Sequence, residues 1–453
     1  MRTLESHICG RWYSPPGGGF STHHAVTGRP VAGVSSDGVD FSAVVGHARH
    51  VGGPALRALT FHERAALLKA LGQHLLAEKD HLYDLSTATG ATRADSWIDI
   101  EGGAGVLLGY ASKGRRELPN GHVLLEGEPE VLAQDGSFLA AHVAIPRRGV
   151  AVQVNAFNFP CWGALEKLAP ALLAGLPTIV KPATPTAFLT EAMVRLIVDS
   201  GILPDGALQL ICGGVGDLFD HLDGQDSVGF TGSATTAALL RTHPGLVDRS
   251  VRFNAEADSL NAALLGPSAK PGTPEFGLFV AEVVREMTVK AGQKCTAIRR
   301  ALVPRSHLET ATEALASALA EVRVGDPSDP DTDMGALVGT VQRDEVRAAI
   351  ADLCTATNVV VDTCTFHDVD PAIGAFLAPT LLRASDPEAG PIHDVEAFGP
   401  VCTLVGYDDP DHAVHLAALG RGSLVASIYS GDADEAAHLT LGIASHHGRV
   451  HVV

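Results

Sequence analysis

Hydrophobic and polar positions along this chain switch between a helical period and a strand period, and the switches mark its elements. Residues 1–60 are rich in Gly and His and poorly periodic, which predicts short strands and a surface arm. Over 61–83 the pattern turns helical: Leu67, Leu71 and Leu75 fall four apart, with Leu68 and Leu82 close to the same face. Residues 119–148 alternate weakly between Gly turns, which predicts a long hairpin. From Gly149 short apolar runs alternate with amphipathic ones. Residues 149–154 read as a strand, followed by a helix carrying Leu165, Leu168, Leu172 and Leu173 that Gly175 and Pro177 end. Thr178-Ile179-Val180-Lys181 is the next strand. Thr184-Pro185 then predicts a helix start, with a capping hydroxyl and Pro in the first position. Further strands are expected at 208–211 and 228–230.

Strand–helix–strand order of this kind defines an α/β chain with a doubly wound parallel sheet. Ligands bind such sheets at the carboxyl ends of the strands. A second α/β unit follows, with an amphipathic helix through Phe276, Phe279, Val280, Val283, Val284 and Met287, then further alternation to a last strand at 448–453. The expected domains are 1–118 with 149–250 as a cofactor-binding unit, 119–148 as a bridging, oligomerising hairpin, and 251–453 as a catalytic unit.

Bulk properties narrow the function classes. With 453 residues the chain exceeds a single core. A net charge of −19 argues against nucleic acid and anionic membranes as partners, since both reward clustered cations. No apolar run reaches membrane-spanning length and the first residues lack a signal-like apolar core, so a cytoplasmic protein is expected. Seven dispersed cysteines give neither a disulfide framework nor a metal site. The pairs His23-His24 and His446-His447 point different ways on any regular element, so solvated surface is expected rather than a metal site.

Chemistry is suggested by Gly292-Gln293-Lys294-Cys295, where one cysteine lies among basic residues at the end of a packed helix. Nearby cations favour the thiolate that a sulfur nucleophile requires. A buried structural cysteine is an equally good reading of that stretch alone. Likewise Glu256 alone reads as a surface carboxylate, Asn158 as a turn residue before Pro160, and Thr231-Gly232-Ser233 as an ordinary helix start.

Six motifs in one order change that balance: Asn158-Phe159-Pro160, Lys181-Pro182-Ala183, Phe230-Thr231-Gly232-Ser233, Glu256, Gly292-Gln293-Lys294-Cys295, and Glu396-Ala397-Phe398-Gly399-Pro400. In these motifs the chain resembles the aldehyde dehydrogenase superfamily over essentially its whole length. The runs at 88–96, 155–160, 256–261 and 282–288 are similar to the subgroup that oxidises CoA-linked semialdehydes in the degradation of aromatic compounds, of phenylacetate or benzoate type. The resemblance implies Cys295 as nucleophile, Asn158 with the backbone N–H of Cys295 as oxyanion donors, and Glu256 as general base. It implies a nicotinamide dinucleotide as cofactor, with Thr231, Gly232 and Ser233 at the pyrophosphate, Lys181 at the adenosine ribose, Glu396 at the nicotinamide ribose and Phe398 near the nicotinamide. Val154, Asn155, Ala156, Phe157, Phe230 and Ala257 complete the implied cofactor surroundings. Where many relatives that prefer NAD carry Glu, this chain has Thr184. A neutral hydroxyl removes repulsion of a 2′-phosphate, so NADP is expected, with NAD possible.

The chain departs from the common family pattern at Ala156-Phe157, before the Asn, and at Asp258-Ser259-Leu260, after the Glu; both departures fit the CoA-semialdehyde subgroup. It ends at Val453, so the family's C-terminal tunnel loop and oligomerisation strand are expected to be absent. The expected partner is a small CoA-linked semialdehyde, with assembly as a homodimer if the missing C-terminus does not prevent it. Two alternatives stay open: a CoA-acylating or broad-specificity aldehyde dehydrogenase, and a non-catalytic structural subunit.

Overall fold

The structure is a computed structural model that describes residues 2–17 and 19–453. The chain forms two compact units: Met1–His23, Pro30–Ser86 and Ser96–Ala257 make the first, and His24–Arg29, Thr87–Asp95 and Asp258–Val453 the second.

The first unit is built on a seven-stranded sheet. Its strands are β1 (Ser6–Ile8), β2 (Arg11–Tyr13), β3 (Ala151–Val154), β4 (Thr178–Lys181), β5 (Leu208–Leu210), β6 (Ser227–Gly232) and β7 (Arg252–Ala257), in the order β7-β6-β3-β4-β5-β1-β2. The strands from β7 to β5 are parallel, and β1 and β2 close one edge antiparallel. Successive strands step from β3 to β4 and β5 on one side, and the chain then returns to lay β6 on the other. The order reverses between β3 and β6, and a crevice at such a reversal is where open α/β sheets take ligands.

Helix α1 (Phe61–Ala77) begins with a capping box between Thr60 and Glu63. Its buried row is Phe61, Arg64, Leu68, Leu71 and Leu75, while Leu67, expected on that face, is only half-buried. Helix α2 (Trp162–Leu173) buries Leu165, Leu168, Leu172 and Leu173 as its spacing predicts. The start expected at Thr184-Pro185 differs. A 3₁₀ turn spans Thr184–Thr186 without a side-chain cap, and helix α3 begins at Ala187 and runs to Asp199. Pro185 suits the first turn of either helix type, so the sequence signal marked the bend and not its geometry.

The boundary expected at residue 250 also moves. Strand β7 pairs parallel with β6 from Ser227↔Arg252 to Gly232↔Ala257, so Glu256 belongs to the first unit and the second begins at Asp258. As an edge strand with Asn254 and Glu256 among its residues, β7 lacks the unbroken apolar run of its neighbours. The predicted hairpin is present, with Leu124–Val131 pairing antiparallel to Leu139–Ala144.

The second unit carries a seven-stranded sheet of β8 (Ala262–Leu265), β9 (Arg300–Pro304), β10 (Thr357–Val361), β11 (Thr380–Ala384), β12 (Val401–Tyr407), β13 (Ser423–Tyr429) and β14 (His447–Val452). Their order is β10-β11-β12-β9-β8-β13-β14, parallel except for β10. Helix α4 (Pro274–Thr288) packs Phe276, Phe279, Val283 and Met287 into this unit's core. His447, expected on the surface, is buried and bonds the Ile443 carbonyl. No helix among the described residues is long and apolar enough to cross a membrane.

Candidate active site

In the first unit the implied cofactor residues gather at the carboxyl ends of β3, β4, β6 and β7. Val154 lies in register with both Lys181 and Phe230, and Thr231 with Glu256. Val154 and Phe230 turn their side chains into the hydrophobic core, so only their backbone is available there. Beside them, among the described residues, neither amide atom of the buried Asn155 nor the Oγ1 of Thr231 has a hydrogen-bond partner. Buried polar atoms are almost always paired. Two such side chains flanking the reversal between β3 and β6 therefore fit a polar ligand at this crevice.

Helix α5 (Ala234–Arg241) starts there, capped by the Ser233 hydroxyl, which accepts from the Thr236 N–H at 3.3 Å. The residues fit a dinucleotide: a helix start for phosphate, unpaired buried polars at the switch point, and a lysine at the next strand end. Lys181 has no ion-paired carboxylate among the described residues, and burial lowers its pKa. Thr184 and the peptide residues Ala156 and Phe157 are half-buried, as are Glu256 and Ala257 on β7.

Asn158 is buried in the turn between β3 and α2. That turn is held from below by Asp99, whose Oδ1 accepts the N–H groups of Cys161 and Trp162 at 3.0 and 2.8 Å. Asp99 thus satisfies two donors that a helix start leaves open.

In the second unit the chemistry sits before the amino ends of β8, β9 and β12, the opposite end from the usual α/β site. The helix ending at Thr288 breaks into a 3₁₀ turn, Val289–Gly292, in which Lys290, Ala291 and Gly292 take φ of 56°, 52° and 68°. Left-handed conformations cost non-glycine residues about 1 kcal/mol or more each, so this kink has to be held by its surroundings. It is: Asp95 accepts the Lys290 N–H at 2.7 Å, and the same carboxylate caps the turn at Thr92. The run at 88–96, which carries part of the family resemblance, thereby supports the turn before Cys295 directly. Gly292 is required for a second reason, since a Cβ there would lie 2.1 Å from the Gly399 carbonyl oxygen. Gln293 bridges Lys290 and Val338, accepting from the Val338 N–H at 3.0 Å.

Cys295 follows, half-buried. Its carbonyl and that of Ala297 are both held by the Asn261 amide at 2.8 and 2.9 Å, while the Asn261 Oδ1 accepts from Ser259 and from the Val425 N–H. The cations expected to act on the thiol have carboxylates of their own. Lys294 pairs with Glu286 at 2.5 Å, and Arg299 lies 3.4 Å from Glu396. Burial raises the pKa of Glu396 against the pull of Arg299, and its Oε2 accepts the Ser259 N–H at 3.2 Å. Phe398 is half-buried with the Arg299 guanidinium over its ring at 5.3 Å. A polar cleft of about 250 Å³ is lined by Lys294 and Thr296, the chain neighbours of Cys295, and by Glu286, Tyr429 and Arg449.

Asn261, Asp99 and Asp95 have no individual role in the sequence analysis, and Arg299 enters it only as one of the cations near the thiol. A faint signal exists for the last: Arg299-Arg300 enters an otherwise apolar strand, and cations in such a place must be paired.

The second unit thus carries a cysteine on a strained, braced turn, and the first unit carries a dinucleotide-type sheet. The model of the aldehyde dehydrogenase family matches residues 12–452. The chain belongs to that family and is an oxidoreductase acting on aldehydes. It is 48% identical to the 3,4-dehydroadipyl-CoA semialdehyde dehydrogenase of Aromatoleum evansii, over 99% of this chain and 88% of that one. Among solved structures, betaine aldehyde dehydrogenase from Staphylococcus aureus in complex with NAD+ superposes with a TM-score of 0.86 at 22% identity, over 99% of this chain and 86% of that one. PnpE from Pseudomonas sp. WBC-3 gives 0.85 at 23% identity, over 99% and 89%.

Proposed function

We propose that this enzyme oxidises a CoA-linked aliphatic semialdehyde to its carboxylic acid in the degradation of aromatic compounds, with NADP preferred over NAD. The observation that carries the substrate class is the 48% identity to a dehydrogenase of such a semialdehyde across nearly the whole chain. In this reading the Cys295 sulfur adds to the aldehyde carbon, and the carbonyl oxygen takes up the charge as an oxyanion. The Asn158 amide and the Cys295 N–H stabilise that oxygen, where one donor is worth roughly 3 kcal/mol. A bound nicotinamide dinucleotide supplies the hydride acceptor. Loss of hydride from the thiohemiacetal carbon leaves a thioester on Cys295. Glu256 takes a proton from water, the resulting hydroxide adds to the thioester carbon, and the C–S bond breaks to release the acid and the thiolate. Thr231, Gly232 and Ser233, with Lys181, Glu396 and Phe398, would hold the dinucleotide. The half-buried, neutral Thr184 and the unneutralised Lys181 support NADP. The enzyme works in the cytoplasm as a homodimer joined through the 119–148 hairpin.

The test is cofactor reduction with a panel of CoA-linked and free semialdehydes, with and without added CoA. Highest kcat/KM for a CoA-linked substrate, with acid formed in the absence of free CoA, supports the reading. A requirement for free CoA would replace hydrolysis by acyl transfer, and equal rates on free aldehydes would remove the substrate class.

A further inference from the structure

Arg299 is almost fully buried and makes an unusual set of contacts, all within the second unit. One Nη donates to the Gly292 carbonyl at 2.9 Å and the Lys294 carbonyl at 3.2 Å, both in the turn that ends at Cys295. The other Nη donates to the Gly399 carbonyl at 2.8 Å. Its Nε faces Glu396 Oε1 at 3.4 Å, and its plane lies over Phe398. One rigid fork therefore spans two segments just over a hundred residues apart, 292–294 and 396–399. The same segments meet independently where Gly292 lies against the Gly399 carbonyl too closely for any Cβ. A guanidinium holds several acceptors in one plane and transmits displacement of any of them, which an ammonium cannot.

We propose that Arg299 is a positioning residue that couples Glu396 to the nucleophile: a change at the Glu396 carboxylate shifts the 292–294 carbonyls through the guanidinium and alters the reactivity of Cys295. On the reading that Glu396 holds the nicotinamide ribose, occupancy of that site is then registered at the thiol. Glu396 has a second connection, through the Ser259 N–H, the Ser259 hydroxyl and the Asn261 amide to the Cys295 carbonyl. The test has to separate the two.

The experiment is a double-mutant cycle on the cofactor-free enzyme, with Glu396→Gln and Arg299→Lys as single and double variants. The readout is the iodoacetamide alkylation rate of the Cys295 peptide, followed by mass spectrometry, with circular dichroism to check folding. Glu396→Gln should change that rate about fivefold in the parent and leave it nearly unchanged in the Arg299→Lys background, the size expected for residues joined by an ion pair. An equal effect in both backgrounds would assign the connection to Asn261 and overturn the proposal. So would an unchanged rate in Glu396→Gln alone, which decides the matter even if Arg299→Lys fails to fold. The cofactor KM of Glu396→Gln tests the ribose role separately. A raised KM with an unaltered thiol refutes the coupling alone, and an unaltered KM with a changed thiol refutes the ribose role alone.

Discussion

Exchanging the Asn261 amide for a carboxylate places an anion against the Cys295 and Ala297 carbonyl oxygens that the amide now holds. The side chain is fully buried, so no solvent relieves the repulsion. Asn261→Asp is expected to cost about 3 kcal/mol, the scale of an uncompensated buried charge, read as a lower urea midpoint. It should also reduce kcat more than it raises either KM, because the displaced carbonyl belongs to Cys295, the proposed nucleophile. Thr184 offers a second test at this scale. Thr184→Glu restores a carboxylate able to accept from a ribose 2′-OH and to repel a 2′-phosphate. The ratio of kcat/KM for NADP over NAD should fall by about tenfold or more, roughly 1.4 kcal/mol. An unmoved ratio would place the 2′ position elsewhere.

Among the elements, the start of α2 shows how a residue of the distant Arg93–Glu117 helix serves the turn that bears Asn158. Asp99 takes the N–H groups of Cys161 and Trp162, so Asp99→Ala should lower stability by about 1–2 kcal/mol, as for lost helix caps. With Asn158 three residues before the first of those donors, the same variant should lose kcat, and Asp99→Asn, which keeps an acceptor oxygen, should recover most of both. Loss of stability with full kcat would mean that the cap does not position Asn158.

Elements defined by local periodicity were the legible ones: α2, α4, the hairpin, strands β3 to β6 and the last strand follow from spacing. The phase of α1 was not, because Leu67 and Leu68 both fit an apolar stripe and only packing chooses between them. Nor was the extent of the first unit, since an edge strand with polar residues does not announce its sheet. At the site, the sequence placed Cys295 at a turn after a packed helix, and there the structure agrees. The braces on that turn were hidden because their partners are remote: Arg299 reaches Gly399 across 100 residues, and Asp95 reaches Lys290 across 195. Periodicity carries no information about contacts at such separation.

For the whole molecule, assembly and acid stability are the properties that the structure makes testable. The hairpin exposes apolar side chains along its length, with Phe138 at 60% and Ile145 at 67%. A two-stranded ribbon of this kind is marginal alone in water, so a second surface is needed to cover it. Val131→Ser with Leu139→Ser, a pair facing each other in register, should convert the proposed dimer to monomer in light scattering; retention of the dimer would locate the interface elsewhere.

Acid stability follows from buried histidines. Burial lowers the pKa of His7, His393 and His447 below the ordinary value of 6.5. His393 is the clearest case. Its Nδ1 lies 2.8 Å from an Nη of Arg300, which can only donate, so Nδ1 is the acceptor and Nε2–H donates to the Pro387 carbonyl at 2.7 Å. Protonation would turn that acceptor into a second donor facing a fully buried cation. With a folded pKa below the unfolded one, the unfolded chain binds more protons in the interval between them. Stability is therefore flat above about pH 7 and falls as pH drops through 6.5 toward the lower folded value, where the loss is complete. His393→Gln, which can place its amide oxygen toward Arg300 and its N–H toward Pro387, should be less stable at neutral pH but lose less between pH 7 and 5. Urea midpoints across that range measure it, and a parent-like slope in the variant would shift the acid sensitivity to His7 and His447.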